Sequence, residues 1–208
     1  MTDGLTVAGA LLVAGPALGV VGLFRPALFR VWTAPRDEHL AMVGAHRGAW
    51  VSANAGFTSA AVLTAAGLAV LAGSVDVDEG PRAVLAAVAV VYAIAGTLWC
   101  AVVAIRTRTT PALAEMVAAG TPTEPAETLL GAAIGGLFAA FTLLTGAALV
   151  ALGVTLALGG GVAAPVAWLA ALISALVIAR FLASGDSIPA ILYFPTLLIG
   201  LALLLGWS

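Results

Sequence analysis

The sequence predicts an all-helical, polytopic membrane bundle of six transmembrane helices, and three observations carry that reading. The stretch from Thr128 to Ala179 has no ionisable side chain. Eighteen apolar residues in a row already suffice for one membrane helix, so this stretch holds two. Charged residues make up only 9% of the chain, against about 25% in soluble domains. Four more uncharged stretches follow the same pattern: Gly4–Phe24, Gly48–Val75, Ala83–Ile105 and Ser187–Ser208. A mean hydropathy of +1.16 makes the bilayer, not water, the expected solvent. Residues 1–208 form a single membrane domain in this reading, since no polar stretch is long enough for a separate soluble one.

The first span covers about 4–24. It lacks the cationic start of a secretory leader, because Met-Thr-Asp-Gly carries no Arg or Lys, so it is expected to be retained. Next comes Thr33-Ala-Pro35, a helix-start signal followed by the acidic first turn Arg36-Asp37-Glu38. It predicts a short interfacial helix over 35–46, able to run on into the second span at 49–73. The third span covers 83–105. A second start signal, Thr109-Thr-Pro111, predicts another interfacial helix over 111–119, with Gly120 and Pro122 as its stop. The fourth and fifth spans, 129–157 and 162–183, are divided by Gly159-Gly160-Gly161 and Pro165. The sixth covers 188–207.

Positive charge gathers on the cytoplasmic side of short loops. Arg25, Arg30, Arg36 and Arg47 lie between spans one and two, Arg106 and Arg108 between three and four, and Arg180 at the end of five. Only Arg82 falls on the other side, among Asp76, Asp78 and Glu79. A cell-membrane protein with both termini outside is therefore expected. Trp32 and Trp50 would anchor the inner interface and Trp207 the outer one.

A shift of 81 residues aligns Arg25 with Arg106, Phe57 with Phe138 and Leu63-Thr64 with Leu144-Thr145. That suggests three tandem helical hairpins, repeated about an axis along the membrane normal. An alphabet dominated by Ala, Leu, Val and Gly also produces such matches by chance. Gly15 with Gly19, and Gly131 with Gly135, have the four-residue spacing that lets helix backbones approach closely.

Composition excludes several function classes. The net charge of −2 gives nucleic acid no electrostatic footing. All eight cations are Arg, so no lysine Schiff base can form. Cys100 is the single cysteine, which rules out an internal disulfide. Every Asp and Glu falls outside the six spans, and no hydrolase or metalloprotease motif is present. No cofactor and no metal are expected.

One constellation stands out. Asn54, the single side-chain amide, lies about two turns into span two, with His46 and Trp50 on its helical face and Arg47 beside them. These four residues suggest a polar pocket at the inner mouth, fit for a lipid headgroup or small anion. The plainer reading is interhelical glue plus interface anchors, with Thr97, Thr142 and Thr145 as partners for Asn54. His39 and His46 share a face seven residues apart, too far along one helix to grip a single haem, and read as solvated interface residues. Arg180 reads as snorkelling to the interface, or as pairing with Asp186, Glu115 or Glu127.

The expected function is a non-catalytic structural or ligand-binding membrane module, with membrane lipid, a second copy or a membrane protein as partner. Two rivals are a permease for a small or lipophilic solute at Asn54, and a headgroup enzyme using Asp37, Glu38, His39 and His46 at the inner face.

Overall fold

The computed structural model describes residues 3–159, 161–186 and 188–207. All regular structure among them is helical. Seven α-helices are formed: α1 (Asp3–Leu23), α2 (Arg36–Ala45), α3 (Arg47–Ser74), α4 (Glu79–Ala118), α5 (Glu124–Gly159), α6 (Ala164–Ser184) and α7 (Tyr193–Leu204). Short 3₁₀ turns at Pro26–Leu28 and Pro189–Leu192 precede α2 and α7. Five helices, α1, α3, α4, α5 and α6, are long and apolar enough to cross a membrane.

These five helices and the shorter α7 close into a ring. α1 packs on α3, α3 on α4, α4 on α5, α5 on α6, α6 on α7, and α7 returns to α1. A contiguous apolar cluster fills the interior, with Leu12, Leu68, Tyr92, Leu149, Val177 and Ile199 from successive members of the ring. At one end Gly4 meets Ser74, Gly159 meets Pro81, and the Ala163 amide donates to the Trp207 carbonyl at 2.6 Å. The opposite end carries the Arg25–Arg47 connection and the connection between α6 and α7, so every arginine except Arg82 belongs to it. Arg25, at the end of α1, and Arg106, in α4, thus lie at the same end, as the 81-residue shift requires.

Close approach of α1 and α3 is written in glycine. A Cβ on Gly15 would sit 2.9 Å from the Ala60 carbonyl, and one on Gly22 would sit 2.8 Å from the Ala53 carbonyl. Both are backbone atoms, which cannot yield as a side chain can.

Three expectations change. The helix expected at 111–119 is no separate element: α4 runs unbroken through Pro111 to Ala118. Proline removes a backbone donor and normally ends a helix. Here Thr110, Pro111 and Ala114 are buried, and α2 packs against α4, so tertiary packing overrides the local signal. At ~1.5 Å per residue the 40 residues of α4 reach about 60 Å, roughly twice the hydrocarbon thickness of a bilayer. The sixth stretch, 188–207, forms a 3₁₀ turn and a 12-residue helix, shorter than the five candidate spans, though α7 still closes the ring. Gly131 and Gly135 do not mediate close helix packing, because a Cβ on either would meet nothing within 4 Å.

The helix expected at 35–46 is present as α2. It stops at His46, where φ −125° and ψ 42° turn the chain before α3 begins.

Candidate functional site

The four residues singled out from the sequence do not converge. His46 and Arg47 are exposed, and Arg47 Nη1 contacts Glu115 Oε1 at 2.7 Å. Trp50 and Asn54 are buried. The Asn54 amide donates to the Trp50 carbonyl of its own helix at 2.8 Å, and Thr97, one of the partners expected for it, turns its hydroxyl to the Ala93 carbonyl of its own helix. One helical turn puts that carbonyl within reach of the short amide side chain, so the bond needs no second helix. Asn54 also lines an open groove between α3 and α4, beside Thr58, Thr107 and Arg108.

The histidines separate as well. His39 Nδ1 lies 2.9 Å from the Val31 carbonyl, which can only accept, so this nitrogen carries the hydrogen. Its ring packs edge-on against Trp50, with centroids 5.7 Å apart, so His39 is half-buried and not fully solvated. Arg180 is exposed, as snorkelling requires. Glu115 and Glu127 are engaged by Arg47 and Arg36 instead.

What the fold does assemble is an aromatic and cationic centre at the arginine-rich end. The Trp50 indole donates to the Arg106 carbonyl at 3.2 Å, and the Trp32 indole to the Leu23 carbonyl at 2.9 Å. The second bond satisfies a carbonyl left over where α1 ends. The Arg106 guanidinium carbon lies 5.4 Å from the Trp50 ring centre and 6.0 Å from that of Trp32, within cation–π range. Rings continue inward from Trp32 to Phe57, Trp99 and Phe141, at centroid distances of 5.7, 6.2 and 4.9 Å.

Arg106 lines two adjoining spaces. One is a cleft of about 520 Å³ between α4, α5 and the turn before α7, walled by Trp99, Thr110, Leu130, Ile134 and Phe138. The other is a smaller, more enclosed cavity of about 100 Å³ behind it, lined by Leu23, Trp32, Phe57 and Tyr193. Trp99, Arg106 and Pro189 belong to both. Gly131 and Gly135 form part of the cleft wall and leave α5 backbone open there.

The charges around the cleft are unequal. Glu127, on its rim, is tied to Arg36 through Nε–Oε2 at 2.6 Å and a second, shorter contact from Nη2 to Oε1. That guanidinium holds the Glu127 carboxyl down at about 2. Arg36 Nη2 also donates to Thr123 Oγ1 at 2.7 Å. Asp186, which also lines the cleft, is exposed. Among the described residues no carboxylate comes within 4 Å of Arg106. Trp99 is 4% exposed, and its Nε1 is buried without a hydrogen bond of full geometry; the Tyr193 hydroxyl, part of the lining of the smaller cavity, interacts with it.

Sequence reasoning used Arg106 as a topological charge and as the repeat counterpart of Arg25, and passed over Trp99. Their seven-residue spacing puts both on one face of α4, the signal that would have found them. No group of three or more His, Cys, Asp and Glu able to hold a metal occurs among the described residues. Compared with protein families, curated proteins and solved structures, the chain matches none.

Proposed function

We propose that this chain is a multi-pass integral protein of the cell membrane, with both termini outside, and that it is a non-catalytic module whose bundle holds an amphiphilic ligand. The arginine-rich end is the cytoplasmic one in this reading. The observation that carries it is Arg106: a half-buried guanidinium within cation–π range of two indoles, in the wall of a cleft, with no carboxylate within 4 Å among the described residues. A buried or half-buried charge without a counter-charge is costly, and a ligand that supplies an acceptor offsets that cost. The cleft falls within the roughly 300–1,000 Å³ range of small-molecule sites, and its walls are mainly apolar with a few polar groups.

A permease would need a route through the ring, where side chains from all six of its helices pack into a contiguous cluster. The headgroup-enzyme reading relied on His39 and His46 acting together; one is bonded to a carbonyl and the other is exposed.

Filling the cleft tests the proposal. Gly131→Leu with Gly135→Leu adds bulk where a Cβ meets nothing, so the fold should tolerate it. Native mass spectrometry of the purified protein should show a bound amphiphile on the wild type and its loss from the double variant. An unchanged complement of bound amphiphile on the filled variant would count against the cleft.

A further inference from the structure

Resting on the reading of the cleft as an amphiphile site, we infer that its ligand is an anionic glycero-ester lipid, with the phosphate on Arg106 and an ester carbonyl on Trp99 Nε1. Two donors point to this chemistry, and among the described residues neither has a well-formed protein acceptor. Arg106 offers a charged, forked donor that suits a phosphate. Trp99 offers a buried neutral N–H, which needs an acceptor but not a charge.

Their order along the helix fits the order of groups in such a lipid. Seven residues separate them, about 10 Å along α4 at ~1.5 Å per residue. Arg106 stands just past the uncharged stretch Ala83–Ile105, and Trp99 lies within it. A phosphate at the polar boundary with its ester groups deeper in the apolar layer therefore meets Arg106 first and Trp99 second. The acyl part then lies against Ile134 and Phe138, where Gly131 and Gly135 leave the wall flat. A fatty acid supplies one acceptor group, so it would satisfy only one of these donors. A zwitterionic phospholipid brings its cation to an arginine, which disfavours it.

Asp186 opposes the anion. Its exposed carboxylate lines the same cleft and is free to repel a phosphate approaching Arg106. Asp186→Asn should therefore tighten binding, an effect that nonspecific apolar adsorption would not produce.

The experiment compares four lipids on delipidated protein in a nonionic detergent, read by native mass spectrometry: phosphatidylglycerol, its ether-linked analogue, phosphatidylcholine and oleic acid. The wild type should retain one phosphatidylglycerol, about tenfold above phosphatidylcholine and several-fold above the ether analogue and oleic acid. Arg106→Gln should abolish the preference for the anionic headgroup, and Arg106→Lys should keep part of it. Trp99→Phe keeps the ring and removes the N–H, so the headgroup preference should survive while ester and ether lipids become equal. Equal retention of all four lipids by the wild type, or an unchanged ester preference in Trp99→Phe, would overturn the assignment. In both cases retention that still vanishes on filling the cleft would leave the amphiphile site itself standing, so the two failures are distinguishable.

Discussion

Arg36 Nε donates to Glu127 Oε2 at 2.6 Å, fastening the first residue of α2 to the first turn of α5. Just beyond the other end of α2, Arg47, the first residue of α3, holds Glu115 near the end of α4. One ion pair thus ties the start of α2 to α5 and the other ties the start of α3 to α4, so the two flank α2 beside the extensions of α4 and α5 that reach past the uncharged spans. Both are exposed to solvent, so their worth lies in orientation more than in stability.

The first clasp should respond to acid. The Glu127 carboxyl is held down at about 2 by the Arg36 guanidinium, from an ordinary value of 4.5. Asp37, bonded to the same guanidinium, is the other acid on this cation. A depressed carboxyl stabilises the fold above its unfolded value, and that contribution is lost as pH falls toward the folded value. The melting temperature of the wild type should therefore drop relative to Glu127→Gln between about pH 4.5 and 2. Parallel curves for the two proteins across that window would show that the pair does not contribute.

Asn54 should be dispensable for stability. Its amide returns to the Trp50 carbonyl within α3, and that bond joins no two helices. Replacement by Leu removes a buried polar group together with its local bond, and the expected change is within about 1 kcal/mol. Reversible unfolding in mixed detergent micelles would measure it. A loss of several kcal/mol would reveal an interhelical role that the geometry does not contain.

The helical class and the position of α2 were legible because they follow from uncharged length and from a start signal with an acidic first turn. The extent of α4 was not. Pro111 is a local stop signal, and only the burial of Thr110, Pro111 and Ala114 explains its failure. The site was legible in part. Trp50 does belong to the aromatic centre, but its partner is Arg106 of α4, and such a pairing depends on which helices become neighbours in the ring. Asn54 drew notice because an amide is rare in an apolar span. Its need for a partner was read correctly, but the nearest acceptor was one turn away on its own helix.

Membrane topology gives a direct check on the proposed orientation. Asp78 and Ala119 are exposed at opposite ends of α4. Single cysteines there, in a Cys100→Ala background, should react with an impermeant maleimide from opposite sides of intact cells. Asp78→Cys should label from outside, and Ala119→Cys only after permeabilisation. Labelling of both from one side would refute a membrane-crossing α4.

Glycine spacing carries two meanings in this chain, and substitution should separate them. Gly15 and Gly131 each have a glycine four residues on, so sequence treats the two pairs alike. In the fold a Cβ on Gly15 would press on the Ala60 carbonyl at 2.9 Å, whereas one on Gly131 has open space. Gly15→Ala must push α1 away from α3 along a seam that also includes Gly22 and Gly56, and overpacking of that kind costs about 1–3 kcal/mol. Gly131→Ala adds a methyl group to open space and trades a flexible helical residue for the best helix former. It should be neutral or stabilise α5 by up to about 1 kcal/mol. Unfolding of the two variants under one set of detergent conditions compares them directly. Equal destabilisation by both would mean that the face of α5 bearing Gly131 is packed as tightly as the α1–α3 seam, leaving no open wall for a ligand.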